Sequence, residues 1–246
     1  MCCSRAVDVV ASIRSTCFHF SCTATATMAQ VKTSNLKELL GLDPSSEHLL
    51  GYLKSLGAIV AQDVSDVPEV KSYPDAVYFN YFAFGLSLLF SPKEGYKPKT
   101  GLKRADLDDA KLVLDSIDVY NMPKIKRPGA TASNKASRSA EAAFASYPVS
   151  PLILSLSGPS KDGKTRPDKL DVTPETTGKE FVECFGEPDR KGGGAGPSAG
   201  SIGIWCEWSK DGIMVEFGGD EARGPQAWEK GKDAVWKIIT IFPPKI

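Results

Sequence analysis

Few side chains in this chain of 246 residues are equipped for catalysis, and their spacing argues against most common devices. There are two histidines, His19 and His48. A Ser–His–acid or Cys–His arrangement needs an imidazole held beside its nucleophile, and His48, at the start of a helical run, reads as a solvated first-turn residue. Cys17, His19 and Cys22 have a spacing that suits a metal, but they lie in a leader segment, and Cys184 and Cys206 cannot form a zinc site on their own. The glycine tract 192–196 follows Arg190 and Lys191. A phosphate loop sits between a strand and a helix and carries GK[ST] or GxGxxG; here the tract follows a helix and precedes a strand, so it reads as a connector. Glu207, Glu216, Asp220 and Glu221 could do acid–base work. Glu207 and Glu216 alternate with apolar neighbours, which makes them the wet face of a strand. No cofactor or metal site is expected.

The aromatic side chains Tyr78, Phe79, Tyr81, Phe82 and Phe84 belong to the most hydrophobic stretch, Val77 to Phe90, which is broken by Gly85 and reads as two paired strands. They could stack nucleic-acid bases, but no basic groove accompanies them. Ile202 to Phe217 has the same plan around Gly212. Setting Gly85 on Gly212 places Phe90 on Phe217, Tyr81 on Trp208 and Val77 on Ile204. Two slightly different offsets place Ile117, Val119 and Tyr120 on Ile239, Ile241 and Phe242, and Gly57 on Gly186. Element order is kept and only loop length changes, which loops tolerate.

The elements follow this repeat. Leu36, Leu39 and Leu40, then Leu49, Leu50, Leu53 and Leu56 after Ser45 or Ser46, have helical spacing, with Gly57 as the stop. Residues 58–76 read as a polar connector and 111–121 as a strand. Residues 122–150 read as a flexible linker whose Lys124, Lys126, Arg127, Lys135 and Arg138 form a basic patch. Leu152 to Leu156 suggests an edge strand. A second helix, capped near Thr173, Thr176 or Thr177, presents Phe181, Val182 and Phe185 and ends at Gly186. Residues 189–201 are too glycine-rich to hold one shape, and AVWKIITIF is the last strand. The resulting division is 1–30 leader, 31–121 first repeat, 122–150 linker and 151–246 second repeat. The fold class is α+β: two helix-on-antiparallel-sheet repeats, which edge-to-edge pairing would join into one sheet with both helices on one face.

Thirty basic and thirty acidic residues cancel, so the chain as a whole is not built to hold nucleic acid. No apolar run approaches the ~20 residues of a membrane span. Cys184 and Cys206 read as buried thiols in a reducing, cytoplasmic setting. Residues 1–30 read as an over-extended start before Met28, or alternatively as a mitochondrial presequence.

The segment FNYFAFGLSLLF, residues 79–90, resembles the phagosome assembly factor family. Asn80, Tyr81, Phe82, Gly85, Leu86 and Phe90 match its strand motif, and Gly186 and Pro188 match its helix end in the other repeat. The resemblance implies a WD-repeat protein partner and peripheral association with autophagic membranes. The repeated unit is also similar to that of the tandem-repeat proteins that inhibit β-lactamase, which bind rather than catalyse. The expectation is a non-catalytic adaptor, with Tyr78, Asn80, Trp205 and Trp228 as candidate partner contacts, since aromatic anchors dominate interfaces. The alternative is an enzyme with a carboxylate or cofactor site between the repeats.

Overall fold

The apolar ribbon folds back on itself as its pattern predicts. β2 (Ala76–Tyr81) and β3 (Leu86–Pro92) pair antiparallel, with a turn of 3-10 helix over Phe82–Phe84 between them. Gly85 closes that turn in the left-handed region at φ 59°. The structure is a computed structural model describing residues 35–60, 67–122, 140–156, 158, 163, 165–194 and 203–245, all within one compact unit, Val31–Ile246. The leader, including Cys17, His19 and Cys22, and residues 123–139 of the basic stretch lie outside the described residues.

The other elements are α1 (Glu47–Val60), β1 (Glu69–Tyr73), β4 (Leu112–Tyr120), β5 (Leu152–Ser155), β6 (Lys169–Val172), α2 (Gly178–Phe185), β7 (Arg190–Gly192), β8 (Trp205–Trp208), β9 (Ile213–Phe217), α3 (Ala227–Lys230) and β10 (Trp236–Ile241). Eight strands form one antiparallel sheet in the order β1-β2-β3-β4-β10-β9-β8-β7. Each half therefore contributes four strands, and the last strand of one half pairs with the last strand of the other.

The two halves agree residue by residue. Leu86 pairs with Val119 and Leu88 with Ile117, just as Ile213 pairs with Ile241 and Val215 with Ile239. Gly85 and Gly212 both have positive φ, 59° and 65°, and accept hydrogen bonds at 2.9 Å from the equivalent Tyr120 and Phe242 N–H groups. A Cβ would strike passing backbone in both places, 2.5 Å from the Ala145 carbonyl oxygen and 2.0 Å from that of Phe242. Even the irregularities correspond. Asp115 is skipped in the β3–β4 pairing and Lys237 in the β9–β10 pairing, so the same β-bulge is present in each half. The bulge explains why apolar spacing in β4 slips between Leu114 and Ile117.

Directly opposed residues in a sheet share a face. The row Phe79, Leu88, Ile117, Ile241, Ile213 and Trp208 is buried and belongs to the main core, which also contains Leu49, Leu53 and Leu56 of α1 and Phe181 and Phe185 of α2. Phe181 and Phe185 lie against Trp208, with ring centroids 6.5 and 5.0 Å away. The Glu180 carboxylate accepts the Thr177 N–H at 2.7 Å, fastening the start of α2. Asn121 ties the halves together: its Nδ2 donates to the carbonyls of Pro174 (2.8 Å) and Trp236 (3.0 Å).

Several expectations need correction. α1 does not stop at Gly57 but runs on to Val60; Gly57 faces the Phe84 ring, 3.7 Å from where its Cβ would be. The supposed connector contains β1, an edge strand with only Ser72 buried. The Ser72 hydroxyl donates to the Lys99 carbonyl (2.8 Å) and accepts from the Leu102 N–H (2.7 Å), which anchors the charged loop after β3. Residues 190–192 hold one shape as β7, paired with β8. Leu152–Ser155 does not extend the sheet; it pairs with Lys169–Val172 as a separate hairpin. Val182 is 38% exposed, because Phe181, Cys184 and Phe185 take the inward stripe of α2.

Candidate functional site

One row on the face opposite the core crosses all eight strands: Glu69, Asn80, Ser87, Asp118, Thr240, Met214, Glu207, Arg190. Asp118 and Thr240 occupy equivalent positions in the two halves and pair with each other, so the pseudo-twofold axis relating the repeats passes between them. The Thr240 hydroxyl donates to Asp118 Oδ1 at 2.7 Å. Burial raises the Asp118 carboxyl to about 6 despite this hydrogen bond, and the nearby Glu216 adds to the shift.

On the first-repeat side of this axis lies a groove of about 510 Å³. Its floor is Tyr78, Asn80, Ser87, Asp118 and Tyr120, and its rim includes Tyr73, Asp75 and Lys71. Phe82 and the returning chain at Glu141 and Phe144 close one side. Residues 140–143 form a 3-10 turn, after which Phe144 stacks on Tyr120 with centroids 3.8 Å apart and touches Phe82 at 4.7 Å. Ala145 and Tyr147 N–H groups, both at 2.8 Å from the Phe82 and Tyr120 carbonyls, hold that segment down. Inside the groove the Ser87 hydroxyl donates to Asn80 Oδ1 at 2.8 Å. Burial opposes the charge on Lys237, but hydrogen bonds from its ammonium to Glu141 and Glu216 outweigh that and lift it above its ordinary value, clamping the segment to the sheet.

The same face of the second repeat carries different chemistry. Trp205, Glu207, Met214 and Phe242 stand where Tyr78, Asn80, Ser87 and Tyr120 stand in the first. Glu207 is not on a wet face: it is 5% exposed, accepts from Ser209 (2.7 Å) and pairs with Lys245 (3.2 Å) and Arg190 (3.4 Å). Burial works against its charge, but the Ser209 and Lys245 hydrogen bonds prevail and hold the carboxyl below its ordinary value. The strand alternation placed Glu207 on the correct face but could not show the cations that cover it.

Of the four contacts expected from sequence, Tyr78 and Asn80 come together in the groove, with Asn80 7% exposed. Trp205 shares the sheet face through the row Trp205, Glu216, Ile238, Tyr120, but lies in the other repeat. Trp228 is on α3, 45% exposed, with the Lys191 ammonium 5.8 Å from its ring centre, and is separate from the groove. The carboxylates proposed for acid–base chemistry do not converge: Glu207 and Glu216 are in ion pairs, and Asp220, Glu221 and His48 are exposed. Asp118, Tyr120, Glu141 and Phe144 were not among the candidate contacts read from sequence. The Asp118 position was nonetheless accessible, because the offset that matches Ile117 with Ile239 also matches Asp118 with Thr240.

Among the described residues no group of three or more His, Cys, Asp or Glu side chains is placed to hold a metal ion, and no helix is long and apolar enough to cross a membrane. Comparison of the chain with protein-family models, curated proteins and solved structures gives no match.

Proposed function

We propose that this protein is a non-catalytic binding module that docks a protein partner on the first repeat's open sheet face, in the groove over Asp118. The observation that carries the reading is the groove itself: half-buried and buried aromatic rings from β2, β4 and the 140–147 segment surround a few polar groups, the usual composition of a recognition site. At the equivalent place in the second repeat the Asn80 counterpart is Glu207, which is paired with Lys245 and Arg190. The free, buried thiols of Cys184 and Cys206 support a reducing, cytoplasmic place of action. The likeness of residues 79–90 to the phagosome assembly factor family makes a WD-repeat protein of autophagic membranes the first partner to try.

A photocrosslinking residue at position 78, compared with one at position 228, tests the reading in cell extract. The same partner should be captured from position 78 only, and the additional substitution Phe144→Ala should abolish its capture. Capture that is equal at both positions, or indifferent to Phe144, refutes docking in the groove. A second reading, acid–base catalysis in the same groove, is favoured by the near-neutral Asp118 carboxyl at the junction of the repeats. Turnover of a small substrate that is lost in Asp118→Asn would establish it instead.

A further inference from the structure

The groove has a definite charge. Among the described residues, three carboxylates line it (Asp75, Asp118 and Glu141) against one ammonium, Lys71, which is itself 3.2 Å from Glu69. Lys237 is shared between Glu141 and Glu216. The Tyr78 and Tyr120 phenols register this field: both are raised, first by burial and then by the surrounding carboxylates, Asp118 and Asp75 for Tyr78, and Asp118, Glu141 and Glu216 for Tyr120. An anionic group entering here would meet like charge at close range. Aromatic walls around a negative floor favour a cation, which gains from the ring faces as well as from the carboxylates.

Building on the docking reading above, we propose that the groove receives a lysine or arginine side chain of the protein partner, its apolar stem against the aromatic wall and its charge toward Asp118. Long basic side chains suit this division, because their methylenes pack on apolar surface while the head group stays polar. Among the described residues the groove is open rather than enclosed, so a side chain projecting from a partner's surface can enter it.

The test uses the full chain and three probes followed by aromatic-ring NMR: Nα-acetyl-lysine methylamide, its uncharged norleucine analogue and its glutamate analogue. The lysine probe should shift the Tyr78, Tyr120 and Phe144 ring signals with a dissociation constant of about 1–10 mM, the range for one partly desolvated cation–aromatic site. Norleucine should bind at least about 5-fold more weakly and glutamate not at all. Asp118→Asn, which keeps an acceptor for the Thr240 hydroxyl, should weaken lysine binding by about 10-fold, the loss of one charged partner. Norleucine binding as tightly as lysine would overturn the charge preference while leaving partner docking intact. No ring shift with any probe up to about 50 mM, where such a contact must register, would overturn the site. Lysine binding without any crosslinked partner at position 78 would overturn a protein as the source of the cation.

Discussion

Replacing Asp118 with asparagine exchanges a carboxylate oxygen for an amide nitrogen and removes an ionisation at the axis between the repeats. In the folded protein the Asp118 carboxyl titrates at about 6, against an ordinary 3.8. The folded state therefore holds this proton more tightly than the unfolded state does. Its contribution to stability is greatest below about pH 4 and is lost as pH rises through 6. A displacement of this size corresponds to about 3 kcal/mol if fully expressed. Asp118 is half-buried and keeps its Thr240 hydrogen bond, so solvent screening reduces the effect to on the order of 1–2 kcal/mol. The substituted amide carries no charge to desolvate, and its oxygen still accepts from Thr240. Urea unfolding at pH 4, 5, 6, 7 and 8 measures the difference between variant and wild type, in which all other titrations cancel to first order. The variant should match the wild type near pH 4 and exceed it by on the order of 1–2 kcal/mol at pH 7–8. A variant less stable than wild type at pH 8, or a difference that does not change with pH, would refute the burial argument.

Gly85→Ala and Gly212→Ala should each destabilise the fold by about 2 kcal/mol or more, since a Cβ would meet backbone at 2.5 and 2.0 Å and φ is positive at both sites; thermal unfolding measures this, and tolerance at either position would break the equivalence of the two turns. Arg166→Met should cost about 3–5 kcal/mol. It strands Asp211, whose side chain is 4% exposed and bound bidentately at 2.7 and 2.8 Å, and denaturant unfolding should show recovery in the double variant Arg166→Met, Asp211→Leu.

The repeat was legible because its markers are large apolar residues and glycines in constrained turns. Phe90 and Phe217, Tyr81 and Trp208, Ile117 and Ile239 occupy matching places because each must fill the same position beside the same neighbours. The edge strands were not legible. β1 reads EVKSY and lies between two prolines, and β7 is the three residues RKG that lead into the glycine tract; an edge strand has one partner and little apolar burial, so no alternation marks it. The groove was half legible. Tyr78 and Asn80 were visible through their aromatic setting, whereas Glu141 and Phe144 come from a low-complexity stretch whose importance arises only from where the chain returns. An aspartate in a strand carries no local sign that burial will raise it. Asp118 could be found only by pairing the two halves and asking which position meets its own counterpart.

That meeting has a consequence for how such a sheet can be assembled. If two identical subunits joined along this seam, whatever residue stood at position 118 would face its own copy. Two aspartates there would repel unless one stayed protonated, and two threonines would offer no acid at all. A polypeptide encoding both subunits in tandem escapes that restriction, because the facing residues are specified separately. One can become the acid and the other the hydroxyl that orients it. The asymmetry between Asp118 and Thr240 is available to a fused chain and closed to a symmetric homodimer.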